Sequence, residues 1–535
     1  MPTTLNEHLS FSSIFHWRLK LLAAFFFWSL SVGIVHAQTY SGMLTWHNDV
    51  ARTGHNVNEK VLTPANVNSK TFGKLFSFAV DGQIFGQPLY VYNVAVAGKG
   101  TYNVVYVTTE NDSVYAFDAD GVNTTALWHD SFIDPGKGIT PIPCGDTGAV
   151  PCPFASNLVG ITGTPVIDPG SGTLYVVAAT KENGKYVNRL HALDITSGAE
   201  KFGGPVQIKA SVKGTGAGNV HGIVSFNALH ESQRPGLLLL NGVVYIGWAS
   251  FGDVAPFHGW ILGYGATSLA QVAVFNSTPN GSDGGVWQSG GGLSADAAGH
   301  IYGITGNGTF DVNRGGSDWG DSFLRFDGSL AVLDYFTPFD QFKLSKNDLD
   351  LGSGAGLLLP PQKGNFPNEI VSAGKEGIIY VVNRSNMGKF NSQKNNVIQT
   401  VRGSVNGYWS TAAYWNNTLY FAGQQDVLSQ YTLTNGLLSS SPVSHTLDKF
   451  GTTPSISANG LTDAIVWAVQ PNAQVRAAIL HAYDATKVAR ELYNSQQAGQ
   501  RDVLGFGITF GVPTIMNGKV YVGTSTELDV LGLLP

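Results

Sequence analysis

A short unit recurs along this chain and limits its fold more than any other feature, because self-similarity at a period of some tens of residues marks an array of like supersecondary elements. Each copy holds a strand of the Val-Tyr-Val type, then a strand ending in an Ala-Leu-Asp-like tripeptide, then an outer strand that begins near an aromatic residue. The clearest copies are Val104-Val105-Tyr106-Val107 with Tyr115-Ala116-Phe117-Asp118 and Trp128, and Leu174-Tyr175-Val176-Val177 with His191-Ala192-Leu193-Asp194 and Phe202. A third joins Val243-Val244-Tyr245-Ile246 to Leu262-Gly263-Tyr264-Gly265 and Phe275. The cadence returns at His300-Ile301-Tyr302 with Leu324-Arg325-Phe326-Asp327, at Ile378-Ile379-Tyr380-Val381 and at Leu419-Tyr420-Phe421 with Tyr431. It appears again at Ile465-Val466-Trp467 with His481-Ala482-Tyr483-Asp484, and last at Lys519-Val520-Tyr521-Val522. That last copy runs out near Leu531 without an outer strand, whereas Lys74 to Val80 reads as an orphan strand ahead of the first full unit. The pattern predicts an all-β, eight-bladed propeller closed by pairing of N- and C-terminal strands, which leaves no free edge. Repeated aromatics such as Trp128 are expected to pack between blades.

Residues 1–37 stand apart from the array. Arg18 and Lys20 precede an apolar run from Leu21 to Val35, and Val35-His36-Ala37 offers small residues at a cleavage position, the pattern of an export signal. An uncleaved anchor is the alternative, since Leu19 to Ala37 is almost long enough to span a bilayer. Segment 38–535 is expected to be one domain, secreted or periplasmic, with no membrane span after signal removal. No cysteine precedes Cys144, so a lipid anchor is not expected.

Composition agrees with a single domain: 66 glycines and only 13% charged residues, with no linker or charge run, suit a turn-dense β architecture. Eight units in this length give about 62 residues each, more than four short strands need, so the surplus lies in loops that a rigid ring can use for function. A net charge of −6 carries no basic footprint and argues against nucleic acid as a partner. The two cysteines, Cys144 and Cys152, lie in one Pro/Gly-rich loop, and an exported chain makes a disulfide the natural expectation, a two-cysteine metal site being the alternative.

At this level the chain resembles the pyrroloquinoline quinone (PQQ)-dependent alcohol dehydrogenases, whose propeller also has eight blades. The family's Ala-x-Asp-x-x-Thr-Gly repeat is similar to Ala192-Leu193-Asp194-Ile195-Thr196-Ser197-Gly198. Three segments resemble family motifs in the family's order. Ile304-Thr305-Gly306-Asn307-Gly308 looks like the Thr-Gly-Asn segment that supplies a calcium ligand, Gly320-Asp321-Ser322 like the segment that supplies the catalytic Asp, and Gly374-Lys375-Glu376-Gly377 like the one whose Lys approaches the quinone oxygens. The family's Glu ligand has its nearest counterpart at Asp253, within Gly252-Asp253-Val254-Ala255-Pro256-Phe257-His258-Gly259-Trp260, and the family's adjacent-cysteine ring has no counterpart.

The resemblance implies PQQ and calcium as cofactors. Asp321 would be the catalytic base, Lys375 and Asn307 would contact the quinone, and Asn307, Asp321 and Asp253 would hold the metal. Such residues suit the chemistry: a carboxylate takes the hydroxyl proton as hydride leaves, and a cation with a lysine polarises the accepting carbonyl. Each residue also has a structural alternative. Asn307 can serve a turn, Asp321 can cap a turn or pair with Arg325, and Lys375 can pair with Glu376. Asn347, Asp348 and Asp350 form an oxygen-rich loop that could also take calcium. The sequence favours a secreted oxidoreductase acting on a small alcohol or sugar hydroxyl with a separate electron acceptor; a non-catalytic envelope propeller that binds a protein or glycan is the rival.

Overall fold

The computed structural model describes residues 39–535 apart from 151, 153–156, 450 and 472–476, so the segment 1–37 expected to be an export signal lies outside the described residues. Eight sheets follow one another as the blades of a propeller, each with a four-stranded antiparallel body; a short strand intervenes before the last strand of the fifth and sixth blades, and the last blade is completed from the N-terminus. The first blade is Leu89–Val96, Gly100–Thr108, Ser113–Asp118 and Trp128–Ser131. The last takes Thr514–Met516, Lys519–Gly523 and Glu527–Leu533 from the C-terminus and its outer strand, Phe72–Ala79, from the N-terminus. The closing pair runs in register from Phe72 opposite Leu533 to Ala79 opposite Glu527, as the orphan strand predicted.

The repeating tyrosine has a specific task. It sits on the second strand of a blade and donates its hydroxyl to the backbone carbonyl just after the third strand of the next blade. Five junctions show it: Tyr106 to Ile195, Tyr175 to Ala266, Tyr245 to Gly328, Tyr420 to Ala485 and Tyr521 to Ala119, at 2.7–3.0 Å. A buried hydroxyl needs a partner, and this one ties neighbouring blades together. Trp128 adds a similar bond to Ile195 O at 2.9 Å and packs across the same junction. Two repeat readings shift. Ile378–Asn383 is the third strand of its blade, the second being Glu369–Ala373, and Phe202 lies in a turn ahead of the outer strand Val206–Gln207.

The innermost strands are closed by a segment the repeat pattern did not reveal. Residues 42–56 run past the first strand of every blade. Gly42 and Met43 pair with Val91 and Tyr90, and the carbonyls of Leu44, Val50, Ala51, Thr53 and Gly54 accept from Ile167, Ala295, Leu358, Tyr414 and Ile456. Arg52 donates to Leu237 O and Leu293 O, and Asn56 Nδ2 to Ile515 O, which completes the eight. An open strand edge inside the ring is thereby satisfied.

Where the fifth blade meets the sixth, the tyrosine latch is replaced by Glu369, which approaches Gly436 and is fully buried with neither carboxylate oxygen hydrogen-bonded. Burial pushes its carboxyl up to about 7 against the opposing pull of Arg384, whereas an unfolded Glu titrates near 4.5. The native state therefore holds the proton more tightly than the unfolded chain, and stability is lost as pH rises between those values. Glu369→Gln should melt above the parent at pH 8 and lose that advantage by pH 5. Thermal melts across that range check this; a difference independent of pH would place the effect elsewhere.

Candidate active site

One end of the ring carries a cavity of about 540 Å3, within the range of small-molecule sites. Its walls come from loops that join second to third strands and from crossovers between blades, which leave every blade at the same end. Asp253 lies on the loop between Val243–Ser250 and Trp260–Gly265, Asn307 between Ile301–Ile304 and Phe323–Phe326, and Lys375 between Glu369–Ala373 and Ile378–Asn383. Asp348 and Asp350 come from the crossover that follows the helix Gln341–Lys346, and Trp287, Trp409, Arg234 and Phe510 from other crossovers.

Four of these residues form one network. Lys375 Nζ donates to Asp348 Oδ1 at 2.7 Å and to Asp350 Oδ2 at 2.6 Å. Asn307 donates its Nδ2 to Asp348 Oδ1 at 2.9 Å and its backbone N–H to Asp350 Oδ1 at 2.7 Å. The Asn307 Oδ1 atom is buried and accepts no hydrogen bond. Gly306 is needed here because a Cβ would collide with Asp350 Oδ1. Asp253 and Asp348 adopt positive φ, at 56° and 53°, a conformation that Asp tolerates better than most residues. The Lys375 ammonium lies 5.6 Å from the Trp287 ring centroid and 5.4 Å from that of Trp409, so aromatic faces and two carboxylates surround it.

Burial raises the Asp350 carboxyl above its usual value, against the opposing Lys375 charge. Burial lowers the Lys375 ammonium, but Asp350 and Asp348 outweigh it and hold the group above its usual value. Asp321 is fully buried behind the cavity lining, where its carboxylate accepts from Leu351 N at 3.1 Å and Gln341 Nε2 at 3.3 Å. Burial first, and the Asp350 charge second, push its carboxyl well above the usual carboxylate range.

The geometry brings Asn307, Lys375 and Asp253 to one cavity and sets Asp321 beneath it. Asp321 does not pair with Arg325, whose guanidinium binds Arg384 O, and Lys375 pairs with Asp348 and Asp350 rather than with Glu376, which accepts from Tyr380. The oxygen-rich loop was visible in sequence, but its place beside Asn307 and Lys375 was not; the only available signal was that its crossover lies between the blades carrying those two residues. Trp287, Trp409 and Arg234 belong to no repeat and were not found.

Cys144 and Cys152 are disulfide-bonded, with Cα atoms 5.9 Å apart. Cys144 packs with Phe251, and Gly148 lies against Val254, so the bridged loop braces the turn that carries Asp253.

No family model and no curated protein sequence matches the chain. Solved structures do match in fold. A quinohemoprotein alcohol dehydrogenase from Comamonas testosteroni has a TM-score of 0.58 at 15% identity, over 92% of this chain and 80% of that one. A second such enzyme, from Pseudomonas putida HK5, gives 0.58 at 14% over the same shares. A europium-containing methanol dehydrogenase gives 0.58 at 14%, over 92% of this chain and 98% of that one. The chain therefore shares the eight-bladed propeller fold of these dehydrogenases.

Proposed function

We propose that this protein is a quinoprotein-like oxidoreductase that oxidises an alcohol or sugar hydroxyl in this cavity, using PQQ and calcium and passing electrons to a separate acceptor. The observation that supports this most is the hydrogen-bonded set Asn307, Asp348, Asp350 and Lys375 between two tryptophan rings. Its parts suit both groups. The quinone is a planar polyanion, and the cavity offers aromatic faces from Trp287 and Trp409 with cations from Lys375 and Arg234. The lining carries four aspartates, Asp253, Asp283, Asp348 and Asp350, against those two cations. That excess of acid favours a hard cation, and Asn307 Oδ1, buried without a donor, is an oxygen free to ligate one. Among the described residues no three Asp, Glu, His or Cys side chains cluster as a metal site, so the ligands would be Asn307 Oδ1 with Asp348, which leaves Asp350 for the proton.

When bound, the quinone would accept the hydride. The chain's own residues supply the rest. Asp350 is the proposed proton acceptor: its raised carboxyl lies nearer neutral pH than an ordinary Asp, where a general base works best, and the Asn307 N–H holds one of its oxygens in place. Lys375 would face the negative charge that develops on the acceptor and pairs with Asp350 Oδ2. Trp287 and Trp409 exclude water from the reacting groups.

The test is titration of the purified protein with PQQ, with and without calcium. At a hundredfold excess over Kd, mass action contributes about 2.7 kcal/mol and should raise Tm by about 3 °C in a chain of this size. Dye reduction with alcohols should follow. If neither stability nor dye reduction responds, the oxidoreductase reading fails and the envelope-binding propeller takes its place.

A further inference from the structure

The opposite end of the ring carries a second cavity, of about 790 Å3, built from turns between first and second strands and between third and fourth strands. It opens where the repeat is broken. At the junction of the fourth and fifth blades, Tyr302 does not donate to a backbone carbonyl across the seam but to Asp296 Oδ2, at 2.8 Å. The residue after the third strand of the fifth blade is Arg384, whose Nη1 lies 3.2 Å from the same Asp296 oxygen and whose guanidinium lies 5.7 Å from the Tyr302 ring centroid. The Arg384 carbonyl, which elsewhere would receive the tyrosine, is bound by Arg325 Nη1.

Two arginines thus line the cavity, and one carboxylate serves only one of them. His300 Nδ1 lies 3.2 Å from Asp296, and Arg384 Nε is engaged by Glu369 O at 3.1 Å. Burial raises the Asp296 carboxyl, but hydrogen bonds from Tyr302 and His300 outweigh this and keep it ionised beside Arg384. Arg325 forms no ion pair among the described residues, and its Nε is buried without a hydrogen-bond acceptor. A guanidinium with a buried, unused N–H is costly to leave so, and its planar fork matches a carboxylate. The remaining walls are mostly apolar, with Val50, Ala51, Leu240, Leu358, Leu359 and Pro360 among them.

We propose that this cavity binds a small organic monocarboxylate, its anionic head on Arg325 and its apolar body against the Val50–Ala51 and Leu358–Pro360 walls. The charge favours one negative charge over two: Arg325 and Arg384 against Asp296 leave a single unbalanced cation, with His300 and Tyr302 the other titratable groups in the lining. Sites of this build discriminate by leaving their own polar groups unpaired when the matching head is missing. The pocket is remote from Lys375 and Asp350, so occupancy here is independent of PQQ.

Calorimetric titration of the full protein with hexanoate, hexanol and hexyl phosphate tests the proposal. Hexanoate should bind at least tenfold more tightly than either of the others, one saturable site per chain. Arg325→Gln should weaken hexanoate at least tenfold and leave hexanol unchanged. Ala298→Trp, at the exposed rim of the cavity, should block hexanoate while the protein still melts with the parent, which separates loss of the site from loss of the fold. Equal binding of hexanoate and hexanol, or hexanoate binding that both variants retain, would overturn it.

Discussion

Replacing Arg52 by Ala should lower stability by about 4 kcal/mol, one of the largest single-residue effects in this chain. Arg52 is fully buried and donates to Leu293 O, Thr45 Oγ1 and Trp46 O, each at 2.8 Å, with a longer contact to Leu237 O at 3.4 Å. Burial lowers the guanidinium to about 10 against the opposing Asp49 charge, so it is charged at neutral pH and bonds as a cation. Removing it leaves several buried carbonyls without donors, each costing about 1–3 kcal/mol, and opens a cavity below Trp46. With unfolding entropy near 2.1 cal/mol/K per residue, a domain of this length shifts by about 1 °C per kcal/mol, so Tm should fall by about 4 °C. Arg52→Lys should recover only part, because an ammonium cannot span the third and fourth blades together. Removing residues 38–80 altogether takes away both this inner segment and the outer strand Phe72–Ala79, and should abolish the cooperative transition. An Arg52→Ala protein that melts within a degree of the parent would show that the inner segment is decoration on a ring already closed.

Asp350→Asn should reduce dye-coupled alcohol oxidation by about 10²-fold or more with the fold preserved. The substitution keeps the shape and an acceptor for the Asn307 N–H, but removes the proton acceptor and one of the two charges on Lys375. Asp321→Asn is the matching control. Burial and the Asp350 charge hold its carboxyl well above the usual carboxylate range, and it lies beneath the cavity lining, so an amide there should change the rate by less than about threefold at pH 7. The reverse outcome, a large loss at Asp321 and a small one at Asp350, would return the base to the position that motif order alone indicates. Rate–pH profiles add a second readout: the parent should gain activity as Asp350 ionises, on a limb displaced upward from an ordinary Asp, and the Asp350→Asn enzyme should lose that limb.

The blade count, the closing strand and the disulfide were legible because each depends on local pattern: strand-forming residues at a fixed period, one unit short of a strand, two cysteines in one loop. The tyrosine of each unit was equally visible, but its latch to the next blade was not, since its acceptor lies roughly a blade away along the chain, as Ile195 does from Tyr106. The same distance explains the misplaced Ile378–Val381 unit, which has the right residues on the third strand instead of the second. At the site, motif order picked out Asn307 and Lys375, which line one cavity, and Asp321, which lies buried beneath its lining. Asp321 stands between Gly320 and Ser322 and Asp350 between Leu349 and Leu351, and only the packing of the crossover that follows Gln341–Lys346 decides which carboxylate faces the cavity.

The sequence by itself therefore determined the architecture, because strand alternation and repeat length are properties of neighbouring residues and leave one way to close eight blades. Tertiary structure alone decided which charges meet: Lys375 with Asp348 and Asp350 at one end, Arg325 without a carboxylate at the other, and Arg52 bridging blades from within. Charge pairing depends on distances of a few ångströms between loops far apart in the chain, and burial then fixes the protonation of groups that composition counts as identical.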